Sequence, residues 1–149
     1  MSNTRKTNKI YHPNGQLRLE TNWKGRELHG SSRGWYEDGQ PEWECTNKNG
    51  KYHGPQRFWY ADGRVKSEEN YCNGKMHGLQ RGWYDNGQLD YEENWDNGEP
   101  HGVLRAWYEN GQMKYEYNYE NGKCRGLQRE WTEDGHLQLQ TVSDTLNHR

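Results

Sequence analysis

Histidine recurs every 24 residues in this chain, and histidine is the side chain most often used for metal binding and proton transfer. The residues at one position of successive copies are called a column here. The histidine column contains His29, His53, His77 and His101, and its fifth copy is Arg125. Ligands of one metal ion lie about 3 to 4 Å apart, because each metal–ligand bond is about 2 Å. Copies built from two strands repeat every 10 Å or so across a sheet, so we expect structural histidines and no metal site.

A glutamate column could supply acid or base groups. It contains Glu20, Glu44, Glu68, Glu92 and Glu116. A hydrolytic pair needs two carboxylates in unlike environments, whereas every copy here offers the same group. Carboxylates about 10 Å apart in water repel by only about 0.4 kcal/mol, so no compensating ion is required. The column is open to two interpretations, an acidic stripe that binds a protein partner and a solvated sheet face.

An arginine column precedes a tryptophan column by two residues. It contains Arg33, Arg57, Arg81, Arg105 and Arg129. Such a row could bind phosphates or an acidic partner. We favour the alternative that each guanidinium lies over a neighbouring Trp or Tyr ring, a cation–π contact of about 0.5 to 1 kcal/mol at an exposed site.

No pattern of catalytic residues occurs in the sequence. There is no nucleophile elbow, phosphate-binding loop or zinc-protease motif. The three cysteines, Cys45, Cys72 and Cys124, share no column and form no CxxC pair, which argues against a disulfide framework or zinc site. We therefore expect a non-enzymatic protein with no catalytic residue, metal or cofactor.

The repeat itself predicts the elements that position these columns. Glycines 54, 78, 102 and 126 follow one another at intervals of 24 residues, and a constant period of this size is typical of stacked repeats. The tryptophan column shares the period and is assigned a structural role: Trp35, Trp59, Trp83, Trp107 and Trp131. Aromatic residues bury a large area each, so eight Trp and eleven Tyr can build a thin core although only 28% of the residues are apolar.

Each copy contains two turn sequences. The first has Asn or Asp followed by glycine, and its structural glycines include Gly39, Gly63, Gly87 and Gly111. A type I turn closed by a left-handed glycine, the three-residue loop with a G1 bulge, suits this pattern. A two-residue type I′ turn is the rival, but it would demand positive φ of Asp in several copies. The second turn, as in Lys48-Asn49-Gly50, is assigned the same chemistry, and Gly25 predicts a distorted second turn in the first copy.

The segments between turns are of strand length. They predict an all-β fold, an elongated single-layer antiparallel meander of tandem 24-residue β-hairpin repeats with about 12 strands. With the three-residue loop, Trp83 should face Leu89 and Arg81 should face Tyr91. Leu79, Arg81, Trp83, Leu89, Tyr91 and Trp95 would then share an apolar face. The opposite face would carry Gln80, Gly82, Tyr84, Asp90, Glu92 and Asn94.

We expect residues 1–9 to form a flexible N-terminal tail, residues 10–142 the repeat domain and residues 143–149 a C-terminal tail. Residues 1–9 lack the apolar segment of a signal peptide, so we expect a cytoplasmic protein. The net charge of −2 argues against nucleic-acid binding. Open sheet edges leave homodimerisation as an alternative.

The repeat resembles a known family. The unit Y-x-N-G-Q-x-x-x-E-x-N-Y/W-x-N-G-K-x-H-G-x-x-R-x-W-Y occurs at residues 84–108, with Glu99 at the lysine position and Pro100 next. It is similar to the MORN repeat variant, of the bacterial type seen in the YwqK family of antitoxin or immunity proteins. The resemblance covers residues 11–139. It implies an interaction scaffold, and the YwqK type implies neutralisation of a partner toxin.

We therefore expect a protein-binding repeat protein that occludes a toxin with one sheet face. The alternative is a scaffold that binds membrane lipids or organises an assembly. The candidate partner-binding residues are Glu44, Glu68, Glu92, Glu116, Tyr60, Tyr84, Tyr108, Asn70, Asn94 and Asn118. Positions that vary between copies and are expected to be exposed would tune the partner: Thr21, Cys45, Glu69, Glu93 and Tyr117.

Overall fold

The structure is a computed structural model that describes residues 4–143. The chain divides into two compact units, Met1–Lys75 and Met76–Arg149. The described residues form fifteen strands and no helix. Accordingly, none of them belongs to a helix long and apolar enough to cross a membrane.

The strands of each unit follow one another in sequence. Unit 1 contains β1 (Arg5–Tyr11), β2 (Leu17–Lys24), β3 (Glu27–Trp35), β4 (Pro41–Lys48), β5 (Lys51–Trp59) and β6 (Val65–Cys72). The two-residue strand β7 (Lys75–Met76) spans the boundary in the sequence. Unit 2 contains β8 (Gly78–Trp83), β9 (Leu89–Asp96), β10 (Glu99–Pro100), β11 (Gly102–Trp107), β12 (Met113–Glu120), β13 (Lys123–Cys124), β14 (Gly126–Trp131) and β15 (Leu137–Ser143).

Each unit is an antiparallel meander, which confirms the all-β repeat fold. In unit 1, strands β1 to β6 pair in chain order. In unit 2 the order is β8, β9, β11, β12, β14, β15, with β10 on β9 and β13 on β12. The strand count exceeds 12 because one strand of a copy is broken at His77, His101 and Arg125. The chain bends there before a glycine of positive φ, as at Gly78 and Gly102.

The first turn of each copy has the predicted three-residue form. Its glycine has φ between 84° and 87° in all six copies. In the copy at 84–88, the Gly87 amide donates to the Tyr84 carbonyl at 2.9 Å and the Tyr84 amide donates to the Gln88 carbonyl at 2.8 Å. The Asn86 side chain accepts from the Gln88 amide at 2.8 Å. These bonds confirm the type I turn with a G1 bulge.

The second turn differs from the prediction. Asn49 has φ 51° and Gly50 has φ 74°, and Lys48 pairs with Lys51. Positive φ at both central residues is a two-residue type I′ turn, which Asn-Gly favours. The same type of turn occurs at Asn73, Asn97 and Asn121. In the first copy only Gly25 of the central pair has positive φ, as a type II′ turn requires, so the shifted glycine selects a different hairpin turn there.

The predicted division of the two faces is wrong, because a bulge follows the first turn. Trp83 pairs with Leu89 as expected, but Gly82 pairs with Tyr91 and Arg81 pairs with Glu92. Asp90 is the extra residue on β9. Side chains alternate along a strand, so a shift of one residue moves a whole set to the other face.

The observed register defines two faces in each unit. The ladder face carries the arginine and glutamate columns. The glutamine face carries, in unit 1, Thr21, Ser32, Gly34, Trp43, Cys45, Gln56, Phe58 and Glu69. In unit 2 it carries Gln80, Gly82, Tyr91, Glu93, Leu104, Ala106, Tyr115, Tyr117, Gln128 and Glu130. The most buried side chains, Gln56 and Gln80, lie on this face at 1% and 2% exposure.

Aromatic rings cover glycines on the glutamine face. A Cβ added to Gly82 would lie 2.2 Å from Cε1 of its cross-strand partner Tyr91. A Cβ on Gly34 would lie 2.3 Å from Nε1 of Trp43. The thin core therefore depends on pairing an aromatic ring on one strand with a glycine on the neighbouring strand.

The chain ends differ in part from their expected place. Residues 5–9, assigned to a tail from the sequence, lie in β1 and pair with β2. These polar residues do not match the repeat, so the sequence did not predict a strand here. In the structure their backbone groups hydrogen-bond to the neighbouring strand β2. Ser143 ends β15. The rest of the predicted C-terminal tail and residues 1–3 lie outside the described residues.

We predict that Gly87→Val lowers the free energy of unfolding by about 1 to 3 kcal/mol, because a β-branched residue resists positive φ. Gly87→Asn should cost less, since asparagine tolerates this region better. Urea denaturation followed by circular dichroism measures both. Equal stability of the valine variant and the wild type would contradict the assigned turn.

A second substitution tests the ring over Gly82. Gly82→Ala should destabilise the protein by about 1 to 3 kcal/mol, as overpacking does, because the new methyl group displaces the Tyr91 ring. In the background of Tyr91→Ala the same change should cost less than about 0.5 kcal/mol. A double-mutant cycle by thermal denaturation gives the coupling, and additive effects would show that the ring does not cover the glycine.

Candidate partner-binding faces

Charges alternate strand by strand on the ladder face. In unit 1 the register places Lys9, Glu20, Arg33, Glu44, Arg57 and Glu68 side by side. In unit 2 the row is Arg81, Glu92, Arg105, Glu116 and Arg129. The Arg33–Glu44 and Arg105–Glu116 contacts are 2.8 Å, and Arg57–Glu68 is 2.9 Å. Each arginine thus has an opposite charge in register on the neighbouring strand.

This pairing replaces two expectations from the sequence. The arginines bond to carboxylates rather than stacking on rings, and the described cation–π contacts are made by Lys66 on Tyr60 and Lys114 on Tyr108. Successive glutamates are two strands apart, as expected, but they are not isolated carboxylates, because an arginine strand lies between them. Exposed pairs contribute about 0 to 1 kcal/mol each, so the ladder sets register more than it adds stability.

A further column, of Asn22, Asn70, Asn94 and Asn118, lies on the ladder face, and two of its members bond to the backbone. Asn22 and Asn118 donate from Nδ2 to the carbonyls of Ser31 and Leu127, both at 2.6 Å. These carbonyls lie beside the glycine bend of the facing strand. The partner-binding role of Asn70, Asn94 and Asn118 stays a prediction.

The tyrosines at the first turn connect successive copies. The Tyr84 hydroxyl donates to the Trp107 carbonyl at 2.8 Å, and Tyr108 donates to the Trp131 carbonyl at 2.9 Å. In unit 1, Tyr36 donates to the Trp59 carbonyl at 2.7 Å. Burial raises the pKa of Tyr84 to about 12, so the hydroxyl remains a donor at neutral pH. The geometry gives these residues a structural role, and partner binding by Tyr60, Tyr84 and Tyr108 stays a prediction.

The histidines lie at strand bends beside the second turn. His29 and His53 accept, through Nδ1, from the amides of Asn49 and Asn73 at 3.5 and 3.3 Å. His77 Nδ1 lies 3.1 Å from Asp96. Within residues 4–143 no group of three or more metal-ligating side chains comes together.

A buried glutamine side chain takes the place of a missing strand partner. Opposite the bend at Gly54, the register places no residue of β5 directly across from Thr46, and Gln56 bonds to the Thr46 backbone. Oε1 of Gln56 accepts from the Thr46 amide at 3.2 Å, and Nε2 donates to the Thr46 carbonyl at 3.0 Å. Gln128 bonds to the Asn118 amide and carbonyl at 3.1 and 3.2 Å, and this carbonyl also accepts from the Arg125 backbone amide at 2.8 Å. The glutamine column is visible in the sequence. Its burial could be explained only from the register, which shows the face on which these side chains lie.

Carboxylates on the glutamine face are held by aromatic donors. In unit 2, Trp95 Nε1 donates to Glu93 at 3.0 Å and Tyr115 donates to the same carboxylate at 3.4 Å. Tyr117 donates to Glu130, and the Tyr115 and Tyr117 rings stack with centroids 4.7 Å apart. Residues Glu93, Trp95, Tyr115, Tyr117 and Glu130 are called the acidic aromatic cluster.

The cluster is negatively charged without a local cation. Of the unit 2 strand positions that the register assigns to the glutamine face, none is Lys or Arg. Burial, followed by the bond to Glu130, raises the pKa of Tyr117. Burial and the Glu93 charge raise the pKa of Tyr115. Both phenols therefore stay protonated at neutral pH and hold their carboxylates in place.

The positions of unit 1 that correspond to the cluster carry different residues and make different hydrogen bonds. Tyr71 donates to Glu69 at 2.9 Å, and Trp23 donates to Thr21 at 2.9 Å. Cys45, expected to be exposed, is 4% exposed. Variation between copies was taken as a sign of exposure, whereas Cys45 pairs with Ser32 and Gln56 inside the glutamine face.

The Cys45 thiol should alkylate slowly at neutral pH. Burial, with the charges of Glu69 and Glu44, raises its pKa to about 11, and the thiolate is the reactive form. In a background without Cys72 and Cys124, we expect the iodoacetamide rate to rise about tenfold per pH unit from about pH 8 to about pH 10. A plateau near pH 9 would contradict the shift. The raised pKa also favours the fold below pH 9.0, and that contribution is lost as the pH rises towards about 11.

Comparison with known proteins agrees with this arrangement. The MORN repeat variant matches residues 7–24, 52–73, 76–97 and 100–121, which is more than half of the chain. No curated protein matches the chain. Repeats of this family are non-catalytic and generally mediate protein or membrane interactions. The chain therefore belongs to the MORN repeat variant family.

Proposed function

We propose that this repeat protein binds a cationic segment of a protein partner through the acidic aromatic cluster of unit 2. The observation that carries the proposal is the pair of carboxylates, Glu93 and Glu130, held by Tyr115, Tyr117 and Trp95. On this face, the described strand positions of unit 2 include no Lys or Arg. The ladder face offers a weaker site, because its carboxylates already have arginine partners.

The cluster suits an interface for physical reasons. Tyrosine and tryptophan are enriched at binding hot spots, and a ring face attracts Lys or Arg side chains through cation–π contacts. The carboxylates are fixed before binding, so little side-chain entropy is lost when a cation arrives. Opposite charge on the partner also speeds association.

The biological role that we propose is that of an antitoxin or immunity protein in the cytoplasm. A partner toxin would be neutralised by occlusion, with its basic surface covered by the glutamine face. Support comes from the family's binding character. Support also comes from changes within repeat columns, such as Glu69, Glu93 and Tyr117, which alter the surface while the turn glycines keep the fold.

The binding proposal is tested with the partner captured by the wild-type protein and then purified. Glu93→Gln together with Glu130→Gln should weaken its affinity by about tenfold to a hundredfold in calorimetry, because two fixed charges are removed. The dissociation constant should also rise with salt concentration.

The matched control is the pair Glu92→Gln and Glu116→Gln, two carboxylates of the same unit on the ladder face. It should change affinity by less than about threefold. If the control pair weakens binding as much as the cluster pair, the partner uses the ladder face and the proposed site is wrong.

A growth assay tests the antitoxin role separately. Expression of the captured partner alone should arrest growth, and co-expression of the wild-type repeat protein should restore it. The cluster pair should fail to restore growth at equal protein level. A harmless partner would refute the antitoxin role and leave the binding proposal standing.

A membrane scaffold is the second candidate, favoured by exposed apolar side chains on β15. Leu137 is 53% exposed and Val142 is 62% exposed. Sedimentation with anionic vesicles at low salt tests it, and Leu137→Ser with Val142→Ser should abolish any binding that the apolar strand provides. Absence of binding by the wild type would remove this candidate.

A further inference from the structure

Unit 1 contains an aromatic-walled pocket on its glutamine face. The cavity has a volume of about 220 Å³. Its lining residues are Thr21, Leu28, Ser32, Trp43, Cys45, Asn47, Tyr52 and Phe58. Tyr52 is 46% exposed, whereas Ser32 and Cys45 are 3% and 4% exposed. The pocket therefore has a buried floor and an accessible aromatic wall.

The pocket arises where small residues interrupt two columns. Ser32 occupies the column of Gln56, Gln80, Leu104 and Gln128. Cys45 occupies the column of Glu69, Glu93 and Tyr117. Because Ser32 and Cys45 are cross-strand neighbours, both truncations fall at the same place. Space that long side chains fill in other copies is empty here.

The pocket floor holds a buried hydroxyl without a partner. Ser32 Oγ has no hydrogen-bond partner within the described part of the chain. An unsatisfied buried polar group is costly and requires an explanation. The Thr21 hydroxyl already accepts from Trp23 Nε1. Ser32 Oγ is thus the buried hydroxyl available to an occupant, and the Asn47 side chain is a second polar group in the lining.

The remaining chemistry of the lining favours a neutral occupant. Trp43, Tyr52 and Phe58 supply ring surface, and Cys45 remains an uncharged thiol at neutral pH because burial raises its pKa to about 11. A cavity of about 150 Å³ can hold benzene, and ligand pockets for larger molecules are about 300 to 1,000 Å³. One ring with a small polar substituent matches this volume.

We propose that the unit 1 pocket binds a single neutral aromatic ring that carries a hydroxyl or N–H group, with this group hydrogen-bonded to Ser32 Oγ. The ring has the chemistry of phenol or indole. It comes either from a free small molecule or from a tyrosine or tryptophan side chain of a protein. The site goes beyond the proposed function, because it uses unit 1 residues and no charged group.

Ligand-observed and protein-observed NMR titrations of the full chain with phenol and benzene test the proposal. Phenol should bind saturably with a dissociation constant on the order of 1 mM, as expected for so small a ligand. Cross-peaks of the pocket residues should shift. Benzene should bind about fivefold more weakly, because it cannot bond to the hydroxyl.

Two substitutions of Ser32 test separately the hydrogen bond from its hydroxyl group and the open space of the pocket. Ser32→Ala should remove the preference for phenol over benzene and keep the pocket open. Ser32→Gln, which restores the residue of the neighbouring copy, should fill the pocket and abolish binding of both. The matched control, Leu104→Gln, places the same residue in the same column of unit 2 and should leave phenol binding unchanged.

The source of the ring is resolved by adding N-acetyl-tyrosine amide as a third probe. Affinity equal to that of phenol supports a protein side chain, whereas binding of phenol alone supports a free small molecule. Absence of saturable phenol binding, or equal phenol binding to the wild type and to a folded Ser32→Gln variant, would overturn the proposal. Ser32→Ala gives an independent result should Ser32→Gln not fold.

Discussion

A backbone amide that loses its strand partner must bond to another group, and this constraint organises the repeat. Every copy bends at a glycine, and the facing strand is left with a residue opposite a gap. In the Gln56 and Gln128 copies a buried side-chain amide bonds to both backbone groups of that residue. A polar residue is therefore at the centre of a sheet that has few aliphatic side chains. Gln56 and Gln128 are 1% and 5% exposed, so water has little access to these bonds.

The two faces of the sheet have different roles. On the ladder face, opposite charges neutralise each other and align the strands. On the glutamine face, three copies keep a glutamine, at Gln56, Gln80 and Gln128, whereas Ser32 and Leu104 take its place in the others, and the surrounding residues also differ. The acidic aromatic cluster of unit 2 and the aromatic pocket of unit 1 are both departures from the repeat. Both sites that we propose thus lie where the columns change, whereas the constant columns account for folding.

The sequence predicted the period, the hairpins and the first turn because these depend on local chemistry. Gly87, for instance, is required by backbone conformation alone. Register was not predictable in the same way, since the bulge at Asp90 moves Arg81 from Tyr91 to Glu92. The repeat pattern does not show this bulge, and it therefore placed the arginines beside aromatic rings. The pocket required the structure, because it depends on Ser32 and Cys45 meeting across strands.

The alternating ladder also affects how such a chain can change in length. If residues 25–48 were deleted, Glu20 would come to lie opposite Arg57, as Glu44 does now. Loss of a single strand would instead bring like charges together. Gain or loss of a whole copy therefore keeps the order of charges, whereas gain or loss of a partial copy disturbs it. The alternating charges of the folded chain are thus compatible with changes in length by whole copies.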